Sequence, residues 1–308
     1  QTIFAPILQD KKSPLPVEGV NPVLSTARRL GDALEEGQLS LADVTALVQT
    51  LRDSAFLRRA SRLHRYVGGA ETATTARRLA AVTHRAIAAL PEPTPEAFQA
   101  AVSPVRFAAV FTAHPTFAVS NPVYATLAES ASEEVLPESV PFFETHRRDE
   151  PPTLEEEFTL ATLAISRARD AMDQLNGALL ETAREHWPDA WTSVIPRPVI
   201  ATSWVGYDTD GRTDIGWWDT LRLRLRMKLF QLERLAQQIS TTQANAPALM
   251  DRLHQAIACV EAQINATPTG PDAEAVARFA DVLVNNHQTA LLNAGNLADD
   301  LDAAIQAA

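Results

Sequence analysis

The side chain best placed for chemistry is His114, in the run Thr112-Ala113-His114-Pro115-Thr116. It follows an apolar stretch, 106–111, that reads as a buried strand, and the proline after it turns the chain toward a helix. An imidazole carried to the tip of a strand is held on rigid backbone. Its ordinary pKa of about 6.5 lets it exchange a proton or stabilise an oxyanion near neutrality. A histidine in such a place is, by itself, more often structural than catalytic; the motif around it reverses that weighting. Thr112 and Thr116 flank the ring and could orient it, or could serve as a strand-end hydroxyl and a helix N-cap; Pro115 reads as structural. A second segment, Ser203-Trp204-Val205-Gly206-Tyr207-Asp208-Thr209-Asp210-Gly211, also follows a strand pattern. Asp208 and Asp210 lie two apart, which could suit a hard cation or an arginine. An Asx-turn pair stabilising its own loop is the favoured reading. Trp204 reads as core packing. Gly206 and Gly211 allow backbone conformations that side chains resist.

These segments carry a resemblance. Thr112-Ala113-His114-Pro115-Thr116 resembles the first hallmark motif of the phosphoenolpyruvate carboxylase family. Ser203-Trp204-Val205-Gly206, with Asp208, Asp210 and Gly211, resembles the second. Between them, Pro151-Pro152-Thr153-Leu154-Glu155-Glu156-Glu157 is similar to a third segment, in the same order. The resemblance implies an enzyme in which bicarbonate attacks the phosphorus of phosphoenolpyruvate, giving carboxyphosphate and the enolate of pyruvate. Carboxyphosphate breaks to carbon dioxide and phosphate, and the enolate takes up the carbon dioxide to give oxaloacetate. His114 would act on carboxyphosphate. Mg2+ or Mn2+ would be the cofactor, held by residues that lie beyond this chain, together with further catalytic arginines. The expected partners are phosphoenolpyruvate, bicarbonate, the C-terminal portion of the enzyme and other copies of itself in a homo-oligomer.

The sequence departs from the family pattern at several places. Phe117 stands where an acid or amide is usual, and Ser120-Asn121 occupy the place of an arginine pair. Tyr207 replaces glycine, Thr209 replaces arginine, Arg212-Thr213 replace Asn-Pro, and Phe158 replaces another arginine. Loss of the arginine pair removes bidentate phosphate donors, so activation by sugar phosphates is not expected. The same losses motivate an alternative: a stand-alone, non-catalytic helical regulatory or scaffold protein derived from the family. Phosphoryl transfer through a phosphohistidine at His114 is a third reading.

Composition narrows the classes. The 308 residues are 46% apolar, ample for a core, and carry a net charge of −11. That balance argues against nucleic acid and against an anionic membrane surface as partners. It does not argue against an anionic substrate, which local arginines and a cation can hold. A lone cysteine, Cys259, excludes an internal disulfide or a cysteine metal cage. No signal peptide or membrane-spanning run is visible, so the cytoplasm is the expected compartment.

The elements that must position these groups are mostly helical. Apolar residues at three- and four-residue spacing predict helices beginning near Pro22 (with Gly31 a candidate break), after Ser40, over 72–90, and after Thr94 to about 102. Pro115 or Pro122 opens the helix after the first strand. Thr153 caps a long helix reaching toward His186, with three glutamates in its first turn. Strands are expected over 105–111 and 198–205. Further helices follow from Thr213 to about 239, over 246–266 and 272–293, and after Gly295. Leu221-Arg222-Leu223-Arg224-Leu225-Arg226 alternates like a strand, but its leucines continue at helical spacing and it lacks β-branched residues, so a helix is expected. Its basic side chains, with Lys228, read as a solvated face with ion-pair partners more readily than as a phosphate site. The remaining histidines show no ligand spacing. The fold class is thus mainly α: a many-helix array with two short parallel strands, which by the resemblance would be the first staves of an α/β barrel. Residues 1–104 form a helical lead-in, and 105–308 carry the two strands and long helices. The helical pattern still running at Leu301–Ala308, together with the resemblance, leads to the expectation of an N-terminal portion of a larger enzyme.

Overall fold

A computed structural model describes residues 22–67, 72–112, 119–132, 146–207, 213–241 and 246–307. These residues are mainly helical, with two short parallel strands. The helices are α1 (Pro22–Glu35), α2 (Leu41–Val67), α3 (Thr72–Ala88), α4 (Pro95–Val102), α5 (Asn121–Ser132), α6 (Leu154–His186), α7 (Trp217–Thr241), α8 (Pro247–Ala266), α9 (Ala273–Asn285) and α10 (Ala298–Ala307). The strands are β1 (Phe107–Phe111) and β2 (Val199–Ser203). Among the described residues, no helix is long and apolar enough to cross a membrane.

Local chemistry sets several boundaries. Thr153 caps α6 reciprocally: its hydroxyl accepts from the Glu156 amide, and its own amide donates to the Glu156 carboxylate at 2.9 Å. Ser40 and Asp43 make the same exchange at the start of α2, and Thr94 caps α4. Gly31 does not interrupt α1; a single helical glycine costs only about 1 kcal/mol. The helix expected from Thr213 begins instead at Trp217, because the Asp219 carboxylate accepts from the Gly216 amide at 2.9 Å and fixes the first turn there. The helix expected to reach 293 stops at Asn285, where the polar run Asn285-Asn286-His287-Gln288 turns the chain so that Leu291 enters the core.

The chain divides into two compact units. In the first, α2 packs with α5, an antiparallel bridge joins Val119 to Arg147, and the Ser120 amide donates to the His146 carbonyl. The His146 side chain is 19% exposed, stands edge-on to Phe56 and lies 4.0 Å from Asp53. Burial, aided by Arg52 and Arg59 and opposed by Asp53, holds its pKa below the ordinary 6.5. The unfolded chain therefore takes up this proton first. Stability present above pH ~6.5 is lost as pH falls through that value. Protection factors of the α2 and α5 amides, corrected for the intrinsic pH dependence of exchange, should fall as pH drops from about 7.5 to about 5.5, and His146→Gln should flatten that dependence; an equal slope in the variant would assign it elsewhere.

Among the described residues, the second unit holds three apolar clusters. Leu232 and Ala236 of α7 meet Leu249, Leu253, Ala256 and Val260 of α8, closed by Leu291 and Leu297. Ile87 of α3, Phe98 and Val102 of α4, and Leu179 and Ala183 of α6 form another with Val194. The third lies beneath the strand ends: Phe158 and Ala161 of α6, Val205 of the turn after β2, and Leu223 of α7, with Phe111 packed against them. β1 and β2 pair in register from Phe107↔Val199 to Phe111↔Ser203, and α6 packs on β2. Because side chains alternate, Val110 and Ile200 point away from the face that carries Phe111. They are 51% and 39% exposed.

Candidate functional site

The parallel register brings the ends of β1 and β2 together, so the segments leading to the two sequence motifs leave the sheet at one end. His114, Pro115, Thr116, Asp208, Asp210 and Gly211 lie outside the described residues. Thr112, Trp204 and Gly206 lie within them. Ser203 ties the strand ends: its buried hydroxyl donates to the Phe111 carbonyl at 3.1 Å and accepts from the Val205 amide. The Trp204 amide donates to the same Phe111 carbonyl at 3.0 Å. These bonds, the first spanning 92 residues of sequence, fix the two strand ends.

Trp204 is not core packing. Its side chain is 53% exposed, and its ring centroid lies 6.1 Å from that of Tyr207. Backbone geometry accounts for this. Residues 204–207 make a turn closed by the Tyr207 amide donating to the Trp204 carbonyl. Val205 takes the inward place against Leu223 and leaves the indole outside. Gly206 has a φ of +83°, and a Cβ there would stand 2.6 Å from the Leu223 Cδ1. The Thr220 hydroxyl donates to the Gly206 carbonyl and locks the turn onto α7. Gly206→Ala should therefore destabilise the protein by about 1–3 kcal/mol. Urea denaturation followed by tryptophan fluorescence would show it; a change below about 0.5 kcal/mol would mean the turn is not strained.

The basic run on α7 is spent internally. Arg222 donates to the carbonyls of Thr267 and Pro268. Arg224 stacks on the Tyr207 ring at 3.8 Å and donates to its hydroxyl, and burial lowers its pKa. Arg226 makes a two-point contact with Glu155, which holds that carboxyl below its usual range. Lys228 donates to the Leu291 carbonyl. The run is structural, as expected, but half-buried rather than a solvated face: Arg222 also pairs with Asp219 at 3.6 Å, while Arg224 and Lys228 reach a phenol and a carbonyl in place of the expected carboxylates. Sequence reading missed Thr220, Leu223 and Arg224 as the scaffold of the turn. Tyr207 itself was visible only as a departure from the motif.

The Mg2+ or Mn2+ implied by the resemblance needs a set of oxygen donors. The described groups at the sheet end include the hydroxyls of Ser203, Thr220 and Tyr207 and the Arg224 guanidinium. None of these four is a carboxylate; by the resemblance the cation ligands lie beyond this chain, and no step is assigned to a cation here.

No family model matches the chain, and no curated protein or solved structure matches it either. What fold and site define directly is that the described residues are mainly helical, with a two-stranded parallel sheet whose strand ends are tied by Ser203.

Proposed function

We propose that the chain is part of a divergent phosphoenolpyruvate carboxylase, forming oxaloacetate and phosphate from phosphoenolpyruvate and bicarbonate. The observation that supports this reading is the parallel pairing of β1 and β2, so that Thr112 and Ser203–Tyr207, where the two motif segments start, leave the sheet at the same end. Barrel enzymes place their chemistry at the C-terminal ends of such strands. In the proposed barrel, β1 and β2 are the first two staves, and the exposed apolar face around Val110 and Ile200 is covered by the rest of the same polypeptide. His114 acts on carboxyphosphate, holding the proton that its breakdown requires; Thr112 and Thr116 orient the ring. The Trp204–Tyr207 turn forms a wall of the site. This chain by itself is expected to be inactive, since the remaining arginines and the cation ligands lie elsewhere. The assay therefore uses the polypeptide purified from its source cells, with phosphoenolpyruvate, bicarbonate and Mg2+, and follows oxaloacetate. Oxaloacetate dependent on both substrates supports the reading; none in any form of the polypeptide removes it.

A second reading has its own support. Arg222, Arg224 and Arg226 are engaged in contacts within the chain, and several arginines usual in the family are replaced. A scaffold or regulatory protein that retained the fold would show this, and would bind a partner without turnover.

A further inference from the structure

We propose that His84, Glu185 and His186 form a zinc site joining α3 to the C-terminal end of α6. Each offers one donor atom, and the three atoms lie within 4.8 Å of one another. The His84 Nε2 is 3.4 Å from a Glu185 carboxylate oxygen, and the two imidazole centroids are 5.4 Å apart.

The cluster has the supporting shell that zinc sites use. The His186 Nδ1 lies 2.9 Å from the Thr182 carbonyl. A carbonyl only accepts, so Nδ1 carries the proton and Nε2 keeps its lone pair. A backbone carbonyl orienting a ligating imidazole in this way is the usual second partner of a metal histidine. Beneath the cluster the two helices are fixed by a buried contact, Thr83 to Thr182 at 2.6 Å between hydroxyls. His84 follows Thr83 directly, and His186 lies one turn beyond Thr182, so the donors stand on a rigid seam. Trp187 packs beside the His186 ring and against Phe98. The last turn of α6 presents the negative end of its dipole, which favours a cation.

Two imidazoles and one carboxylate are a donor set suited to zinc, with a fourth position left for water. Magnesium and calcium prefer all-oxygen surroundings. Zn–N and Zn–O distances of about 2.0–2.2 Å require the donors to close in slightly, a movement that exposed side chains make by small rotations. Bound zinc would clamp α3 to α6 and raise the unfolding temperature by mass action. The inference is independent of the carboxylase reading, since its readout involves neither phosphoenolpyruvate nor oxaloacetate.

The test is calorimetric titration of the purified, metal-free protein with Zn2+, paired with thermal unfolding and with Co2+ as an optical probe. One equivalent of zinc should bind and the unfolding temperature should rise. Co2+ should give the visible bands of a low-coordinate nitrogen–oxygen site. Because loss of an orienting partner alone costs about 10–100-fold, His84→Ala and His186→Ala should each weaken binding by at least about 100-fold. Glu185→Gln should weaken it less, and His254→Ala should leave it unchanged. The substituted residues are exposed, so the variants are expected to fold, and circular dichroism checks that they do. Absence of zinc binding, or binding unchanged in both histidine variants, overturns the proposal.

Discussion

Replacing Leu253 by alanine is expected to cost about 2–5 kcal/mol of stability. Its side chain is fully buried on α8, within the cluster that joins α7, α8 and the chain around Leu291 and Leu297. Truncation removes the transfer free energy of the lost methyl groups. It also leaves a cavity that helices fixed on both sides cannot close. The contrast is Leu160→Ala, whose side chain is 40% exposed on α6; it should cost under about 0.5 kcal/mol. All five tryptophans, Trp187, Trp191, Trp204, Trp217 and Trp218, lie in the same compact unit as Leu253. Urea denaturation followed by tryptophan fluorescence therefore reports the unit concerned. Because domains are stable by only about 5–15 kcal/mol, a loss of this size shifts the midpoint visibly. Equal midpoints for the two variants would contradict the assignment of this cluster as the core.

The second large effect concerns chemistry. His114→Asn keeps a side chain of similar size with hydrogen-bonding capacity, but cannot hold or release a proton near neutrality. If His114 serves carboxyphosphate breakdown, oxaloacetate formation by the enzyme should fall by about 100- to 10,000-fold, the usual contribution of a positioned acid or base. KM for phosphoenolpyruvate should change far less, since the proposed role begins after the substrate has bound. Undiminished turnover in the variant would remove His114 from the mechanism. A rise in KM with kcat unchanged would make it a binding residue instead.

Much of the fold was legible because local rules acted without competition. Thr153 with Glu156 announced α6, and its end before Pro188 was set by proline chemistry. The leucine row from 221 to 232 outweighed the alternation of leucine and arginine, and α7 is a helix. Both strands appeared close to their expected spans, each a little shorter. What was not legible depends on competing local caps and turns and on contacts between distant segments. The start of α7 at Trp217 depends on a cap from Asp219 that competes with an earlier start. Indoles are usually well buried, so sequence alone favours a core place for Trp204. The turn at Gly206 gives that inward place to Val205. His84 shows no ligand spacing along the chain, because its partners Glu185 and His186 lie on another helix. Only the packing of α3 against α6 brings them together.

The most direct test of the carboxylase account follows an oxygen atom. In the proposed reaction a bicarbonate oxygen forms the new bond to phosphorus as the enolpyruvate oxygen leaves. When carboxyphosphate breaks, that oxygen stays with phosphate. Turnover of the source-cell polypeptide with 18O-labelled bicarbonate should therefore release phosphate carrying one label for each oxaloacetate formed. Unlabelled phosphate, or no oxaloacetate at all, would contradict the account.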